Sequence, residues 1–355
     1  MITDVIKILI PSAAAFVIGI AITPVVSDFL YKHKMWKPKG VRTAIDGSAA
    51  TISAQLHNDE ERKTPRMGGI VVWGSVIITT ALFYLLSLMF PGDATGKLSF
   101  LSRSQTWLPL SVMLVGAAAG LLDDILMVMP SGGGLALRYR LIIVVILSTI
   151  VGWWFYVKLG VIAINIPFAA PLFLGVLVIP FFVLISLALF ASGVIDGIDG
   201  LSGGVFASVF AAYAIIAFMQ HQLDLAAFCA TVVGGLLAFL WFNIPPARFY
   251  MSDTGTVALT LALGVVAFLT DSLGGGVGVA VLPVIGFLLV VTVLSNIIQV
   301  LSKRMFGRKV LRVAPLHHHF EAIGWPGYKV VMRYWVLSVV FAFLGVILAL
   351  SSIQP

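Results

Sequence analysis

The chain has 355 residues, of which 60% are hydrophobic and only 10% are charged, and its formal net charge is +7. This composition excludes an ordinary soluble domain and predicts a polytopic membrane protein, for which no nucleic-acid partner is expected. The single cysteine, Cys229, allows no intramolecular disulfide.

Ten apolar runs are predicted to be transmembrane helices, because a helix needs about 20 apolar residues to cross the hydrocarbon core. We therefore predict an all-α bundle of about ten transmembrane helices that forms a single integral-membrane domain over residues 1–355. Only Lys7 precedes the first run and no convincing cleavage site follows it, so we expect a retained helix. The runs are centred roughly on Ala15, Ala81, Leu114, Thr149, Phe182, Ala211, Gly234, Leu263, Leu288 and Val340.

The basic residues predict an orientation for this bundle. Ten spans place the connecting loops alternately on two sides, and one set of loops carries 18 of the 22 Lys and Arg residues. By the positive-inside rule this set is cytoplasmic and both termini are external. The five loops of this set are 31–69, 123–140, 192–201, 243–256 and 302–333.

Acidic residues recur at the ends of the predicted spans on the cytoplasmic side. Asp123 and Asp124 end the third run, Asp196 and Asp199 lie in "DGIDGL", and Asp253 lies in "MSDTGT". Adjacent helical residues point about 100° apart, so one carboxylate of the Asp123–Asp124 pair can face a site while a neighbour fixes the other. Clustered carboxylates without cysteine suit Mg²⁺, which usually takes its remaining ligands from phosphates and water. We therefore predict a phosphate-bearing substrate.

Two basic segments accompany the carboxylates. The turn "RKTPRMGG" places Lys63 and Arg66 before the second span, where backbone and side-chain donors can hold a diphosphate. The last loop contains His317, His318 and His319, and its flanking Pro and Gly residues predict a shaped loop rather than a helix. Three consecutive side chains diverge in direction, so we do not expect them to share one metal.

Six motifs occur in order along the chain: "KTPRMGG", "GLLDD", "DGIDGL", "WFNIPPARFYMSDTGT", "APLHHHFE" and "GWPGYKVVMRYW". With these motifs the chain resembles the phospho-N-acetylmuramoyl-pentapeptide transferase family (MraY) over essentially its whole length. It also resembles the broader superfamily of polyprenyl-phosphate N-acetylhexosamine-1-phosphate transferases. The uninterrupted histidines followed by Phe-Glu, and the Gly-Trp-Pro segment, favour the MraY branch.

The resemblance implies a multi-pass enzyme of the bacterial inner (cytoplasmic) membrane whose active site faces the cytoplasm. It implies Mg²⁺-dependent transfer of phospho-MurNAc-pentapeptide from UDP-MurNAc-pentapeptide to undecaprenyl phosphate. The products would be lipid I and UMP, in the first membrane step of peptidoglycan synthesis. The implied partners are these two substrates and membrane lipids, and the family also makes a homodimer plausible.

The resemblance also implies roles for individual residues. Asp253 is the implied metal ligand, one of Asp123 and Asp124 is the proposed base, and Tyr250 takes the place of a family Phe that stacks on uracil. The implied catalytic residues are Asp123, Asp124, Asp253 and His318. The implied substrate-binding residues are Lys63, Arg140, Asp196, Asp199, Asn243, Tyr250, Thr256, His317 and His319.

The chain departs from the family pattern at several positions near these motifs. Phe190 and Gly193 stand where the family has two Asn residues, and Met127 and Glu61 stand where it has Lys. Arg66 stands in place of a Thr. These departures leave open a different donor, such as UDP-GlcNAc or another UDP-amino sugar, or a catalytically inactive protein of the same fold. A transporter is less consistent with the sequence, because the carboxylates cluster at helix ends and no internal repeat is visible.

Overall fold

The computed structural model describes residues 2–36, 63–129 and 133–352, so Glu61 lies outside the described residues. It confirms the all-α prediction: ten helical segments are long and apolar enough to cross a membrane. In the described part of the chain, the strands are limited to a short antiparallel pair between two helices, β1 (Ala163–Ile164) and β2 (Leu172–Phe173), in which Ala163 lies opposite Phe173.

The structure has thirteen α-helices in the described part of the chain. The first six are α1 (Ile2–Lys32), α2 (Gly69–Met89), the short α3 (Asp93–Leu98), α4 (Trp107–Val128), α5 (Leu137–Val157) and α6 (Val178–Ser192). The next seven are α7 (Leu201–Met219), α8 (Leu223–Asn243), α9 (Ser252–Leu269), the short α10 (Gly278–Ile285), α11 (Phe287–Phe306), the short α12 (Leu316–Ala322) and α13 (Gly327–Ser351). The sixth candidate span, counted from the chain start, is α7, because α3 is too short to cross.

Two predictions about the C-terminal third were wrong. The ninth span was centred on Leu288, but this residue lies at the start of α11. The apolar run continues upstream through α10, whose eight residues are too few to cross, and the chain breaks at Gly286. The three histidines were predicted in a loop, but they lie on α12. Pro315 is the N-cap residue of this helix and has extended backbone, so its missing N–H removes no hydrogen bond within the helix.

The core of the bundle is built by α7, α8 and α9. In the membrane-spanning windows of these helices 72%, 78% and 94% of the residues are buried. Helix α9 is apolar on all sides, as expected for a helix enclosed by others, and it packs against α2, α4 and α6. Phe155, Phe182 and Phe268 form a buried aromatic cluster at these contacts.

Small residues let α4 and α9 approach one another very closely. A Cβ atom on Gly120 would lie 2.0 Å from the carbonyl oxygen of Asp253, and one on Gly116 would lie 3.0 Å from the carbonyl oxygen of Val257. At the start of α2, a Cβ atom on Gly69 would lie 2.3 Å from the Cα atom of Gly255. Close helix packing through small residues is typical of membrane bundles. Here it places the end of α4 and the starts of α2 and α9 side by side.

Candidate active site

The predicted carboxylates converge at one end of the bundle. Asp123 and Asp124 lie in the last turns of α4, and Asp253 lies in the first turn of α9. Asp196 follows the short turn after α6. Two arginines from other elements, Arg66 and Arg140, lie among these carboxylates, and the group forms a charged cluster at helix ends.

Asp124 is fully buried, and both of its carboxylate oxygens are engaged. Its Oδ2 accepts hydrogen bonds from the backbone N–H of Thr254 at 2.9 Å and from the Thr254 hydroxyl at 2.7 Å. Its Oδ1 accepts a hydrogen bond from Nε of Arg66 at 2.9 Å. Asp124 therefore ties three elements together: α4, the start of α9 and the segment before α2.

Asp123 points in a different direction and shares Arg140 with Asp253. Nη1 of Arg140 donates to Oδ2 of Asp253 at 3.0 Å, and Nε of Arg140 donates to the carbonyl oxygen of Leu135. Nη2 of Arg140 lies 2.9 Å from Oδ2 of Asp123, close enough for an ion pair but without hydrogen-bond geometry. This buried oxygen therefore has no hydrogen-bond donor among the described residues.

Asp196 joins the loop after α6 to the start of α9. Its Oδ1 accepts a hydrogen bond from the Ser202 hydroxyl at 2.7 Å, and its Oδ2 accepts one from the backbone N–H of Ser252 at 2.8 Å. Burial raises the pKa of Asp196, although these two hydrogen bonds oppose the rise. Asp199 accepts from the backbone N–H of Ala247 at 3.0 Å and thereby holds the neighbouring connection after α8.

Arg66, which the sequence placed in a turn able to hold a diphosphate, lies inside the cluster. Its segment pairs with the approach to α9: the N–H of Tyr250 donates to Pro65, and the N–H of Gly68 donates to the carbonyl of Tyr250. Burial alone would lower the pKa of Arg66, but the carboxylates of Asp124 and Asp253 outweigh this and raise it. In the sequence, Arg66 is visible as a basic residue that stands in place of a Thr in the "KTPRMGG" motif.

Two predicted substrate-binding residues, Asn243 and Thr256, have clear side-chain contacts. The amide of buried Asn243 accepts from the N–H of Gly200 at 2.9 Å and donates to the carbonyl of Phe249 at 2.8 Å. The hydroxyl of buried Thr256 donates to the carbonyl of Ser252. Tyr250 is partly buried, and its backbone pairs with Pro65 and Gly68. Their contact with a nucleotide stays a prediction, and so does that of the exposed Lys63.

The histidines of α12 pack against the loop that carries Asp196. A Cβ atom on Gly197 would lie 2.4 Å from Nε2 of His317 and 2.7 Å from Nε2 of His318. Nδ1 of His318 lies 2.7 Å from the Glu321 carboxylate, and Nδ1 of His319 accepts from the N–H of Arg312. The imidazoles of His317 and His318 therefore pack on Gly197 and form one wall beside the carboxylate cluster. His319 instead holds the segment before α12 through Arg312.

His317 is expected to make the protein less stable in acid. Burial, and then the neighbouring His318, lowers the pKa of His317 well below its ordinary value. As pH falls below about 6.5, the unfolded chain takes up a proton that the folded chain refuses, so stability decreases. Between pH 7 and pH 5.5, His317 is expected to lower the free energy of unfolding by about 1 kcal/mol. Thermal unfolding of His317→Gln should not show this loss. His33→Gln, at an exposed histidine, is the control, and an unchanged pH dependence in His317→Gln would contradict the expectation.

A pocket joins the charged cluster to an apolar wall. Asp123, Arg140 and Asp253 line one part of it. The remaining lining is mostly apolar and includes Ala119, Leu135, Ile143, Val144, Phe190 and Val257. Phe190, one of the departures from the family pattern, therefore contributes to this wall. Met127 lies beside Asp123 and Arg140, since all three approach the same point near Gly134. The pocket therefore has charged groups on one part of its lining and apolar groups on the rest.

Comparisons with known proteins agree with this arrangement. A family model described as glycosyl transferase family 4 matches residues 106–271. A phospho-N-acetylmuramoyl-pentapeptide-transferase of Geobacillus sp. (strain WCH70) is 35% identical over 94% of this chain and 94% of its own. The protein of that name from Geobacillus thermodenitrificans is also 35% identical, over 96% of this chain and 97% of its own. One from Chloroflexus aurantiacus is 33% identical over 100% of this chain and 93% of its own.

Proposed function

The chain belongs to the phospho-N-acetylmuramoyl-pentapeptide transferase family, and from this premise we propose that it transfers phospho-MurNAc-pentapeptide from UDP-MurNAc-pentapeptide to undecaprenyl phosphate. The observation that carries the proposal is the pocket in which Asp123, Asp253 and Arg140 adjoin an apolar wall. A polyprenyl phosphate has this combination of charge and hydrocarbon. The second substrate would bring its diphosphate to the same charged cluster.

Asp123 and Asp253 fit a Mg²⁺ ion. Both carboxylates lie on one Arg140 guanidinium, so they are close together, and the buried Oδ2 of Asp123 lacks a hydrogen-bond donor among the described residues. In the described part of the chain, no group of three or more His, Cys, Asp or Glu side chains is placed to hold a metal ion. Mg²⁺ is commonly held by one or two carboxylates together with phosphate and water, so the remaining ligands would come from the substrate. When bound, the ion would neutralise charge on the diphosphate and the departing UMP.

The chain's own residues would act mainly by positioning and by balancing charge. In the reaction, an oxygen of the lipid phosphate attacks the sugar-bearing phosphorus, and the P–O bond to UMP breaks as the new P–O–P bond forms. A lipid phosphate is already ionised near neutral pH, so transfer requires no strong base. Arg140, which holds Asp123 and Asp253 with its two Nη atoms, would balance charge where the phosphates bind. Positioning and charge balance are the main requirements of phosphoryl transfer. The apolar wall at Phe190 would exclude water that could hydrolyse the donor.

The proposed orientation places this cluster on the cytoplasmic side of the inner membrane. If all ten candidate helices span the membrane, both termini would lie on one side and the loops that contain the carboxylates on the other. The excess of Lys and Arg in those loops supports a cytoplasmic site. A homodimer stays a prediction from the family.

The proposal is tested by expressing the chain in a bacterium whose own transferase of this family can be depleted. Growth on depletion is expected with the wild-type chain and not with Asp253→Asn present at an equal level in the membrane. A wild-type chain that is inserted in the membrane and fails to sustain growth would count against the MurNAc-pentapeptide donor.

A further inference from the structure

We propose that Arg66 binds the diphosphate of the donor and that Asp124 is its positioning residue rather than the base of the reaction. This inference rests on the proposed function, because it assigns a further residue to the same site. It differs from the implied assignment of the base to either Asp123 or Asp124, because it leaves only Asp123 for that role.

The surroundings of Asp124 leave it little capacity for chemistry. It is fully buried, and its two oxygens accept three hydrogen bonds, two of them from Thr254 and one from Arg66. A carboxylate that moves a proton must reach the reacting group within hydrogen-bond distance. Asp124 instead faces the start of α9 and the guanidinium. Its position explains how one edge of Arg66 is fixed.

The surroundings of Arg66 leave it suited to a ligand. The guanidinium uses Nε on Asp124, whereas an arginine carries four further N–H donors in a planar fork. The side chain is 23% exposed, in contrast to the fully buried carboxylate that it holds. Its positive charge acts on Asp253 and Asp196 as well as on Asp124. Arg66 is therefore a fixed cation near the proposed metal ligand and at the edge of the cluster.

The backbone holds Arg66 in this place. Its own N–H donates to the carbonyl of Met35 at 2.7 Å, and the N–H of Met67 donates to the Ser252 hydroxyl. On either side, Pro65 and Gly68 pair with Tyr250. A Cβ atom on Gly68 would lie 2.7 Å from the carbonyl of Tyr250, so only glycine permits this approach. A donor held in advance loses less entropy when it binds a phosphate.

The charge balance of the cluster requires such a cation. The carboxylates of Asp123, Asp124, Asp196 and Asp253 face the two guanidiniums of Arg66 and Arg140. If all are ionised, this leaves an excess of negative charge, which disfavours an approaching diphosphate. Removing Arg66 increases that excess on the side of the cluster away from Arg140. We therefore expect Arg66 to act mainly on binding of the donor and little on binding of the lipid.

The test compares Arg66→Met, Arg66→Lys, Asp124→Asn and the double variant Arg66→Met/Asp124→Asn in the full-length protein. The double variant is needed because Arg66→Met alone leaves a buried carboxylate unpaired, which can prevent folding. Arg138→Met removes the same charge from an exposed position two residues from Arg140 and is the matched control. For each variant, the KM for the donor, the KM for undecaprenyl phosphate and kcat are measured. Binding of UDP and of uridine is measured separately by calorimetry with Mg²⁺ present.

The donor KM is expected to rise roughly 10- to 100-fold in Arg66→Met and in the double variant, as for loss of a charge-assisted hydrogen bond. UDP affinity should fall in parallel, whereas uridine affinity and the KM for the lipid should not change. The donor KM of Arg66→Lys should lie between those of the wild type and Arg66→Met. Asp124→Asn should raise the donor KM more than it lowers kcat.

An unchanged donor KM and UDP affinity in a folded double variant, or an equal effect in Arg138→Met, would overturn the proposal. A large decrease in kcat without a change in the donor KM in Asp124→Asn would also overturn the proposal. A wild-type chain that binds UDP but turns over no donor would instead refute the proposed function.

Discussion

Turnover is expected to fall by roughly a thousandfold in Asp253→Asn, with the fold retained, because a charged group that acts on the transferring phosphate is lost. Asp253 binds Arg140 at 3.0 Å and shares that guanidinium with Asp123. Asparagine keeps the shape and one acceptor oxygen but removes the negative charge. The measurement is the rate of UMP release, together with the affinity for Mn²⁺ as a stand-in for Mg²⁺. Both are expected to decrease.

Asp224→Asn is the matched control for this variant. Asp224 lies in the first turn of α8, at the opposite end of the bundle, where it forms an ion pair with Lys7. The same chemical change there is expected to leave turnover and Mn²⁺ affinity unchanged. If Asp253→Asn kept more than a tenth of the wild-type rate, Asp253 would not be a ligand of a required metal.

Gly120→Ala is expected to have the second large effect, although it leaves every charged group in place. The added Cβ atom would lie 2.0 Å from the Asp253 carbonyl oxygen, so the contact between the last turns of α4 and the start of α9 cannot be retained unchanged. Overpacking of this kind costs about 1–3 kcal/mol of stability. A displacement of about 1 Å at a reacting centre can cost on the order of 100-fold in rate. We expect a lower melting temperature in detergent and at least that loss of turnover.

Alanine substitutions at two further glycines are compared with Gly120→Ala. Gly116→Ala, whose Cβ atom would lie 3.0 Å from the nearest atom of α9, is expected to be milder in both measurements. Gly96→Ala on α3, where no atom lies within 4 Å, is the matched control and is expected to have wild-type stability and turnover. Wild-type turnover in Gly120→Ala would show that the position of Asp253 does not depend on this helix contact.

The sequence was sufficient to predict the helical bundle, because each span satisfies the length requirement of the membrane through local composition alone. It also predicted that the carboxylates of α4 and α9 would lie at one end, since alternating spans place alternate loops together. The separate directions of Asp123 and Asp124 follow from helix geometry, and the structure shows Asp124 fixed by Thr254 as that geometry allows.

Other features required contacts between distant parts of the chain. Arg66 and Asp124 are 58 residues apart, and no local pattern indicates that a side chain before α2 reaches the end of α4. The boundary between α10 and α11 was missed because a hydropathy pattern does not distinguish one long apolar helix from two helices broken at Gly286. Asn243 was predicted to bind nucleotide, but only the folded chain shows that its amide links Gly200 and Phe249.

The most direct test of the proposed reaction is UMP release by the purified protein in detergent with undecaprenyl phosphate and Mg²⁺. UDP-MurNAc-pentapeptide and UDP-GlcNAc are supplied in parallel, with Asp253→Asn as the control. We predict metal-dependent UMP release from UDP-MurNAc-pentapeptide alone, abolished in the control, which would also show that Phe190 and Gly193 are compatible with transfer. Release from UDP-GlcNAc alone, or from neither donor in a folded preparation, would contradict the account.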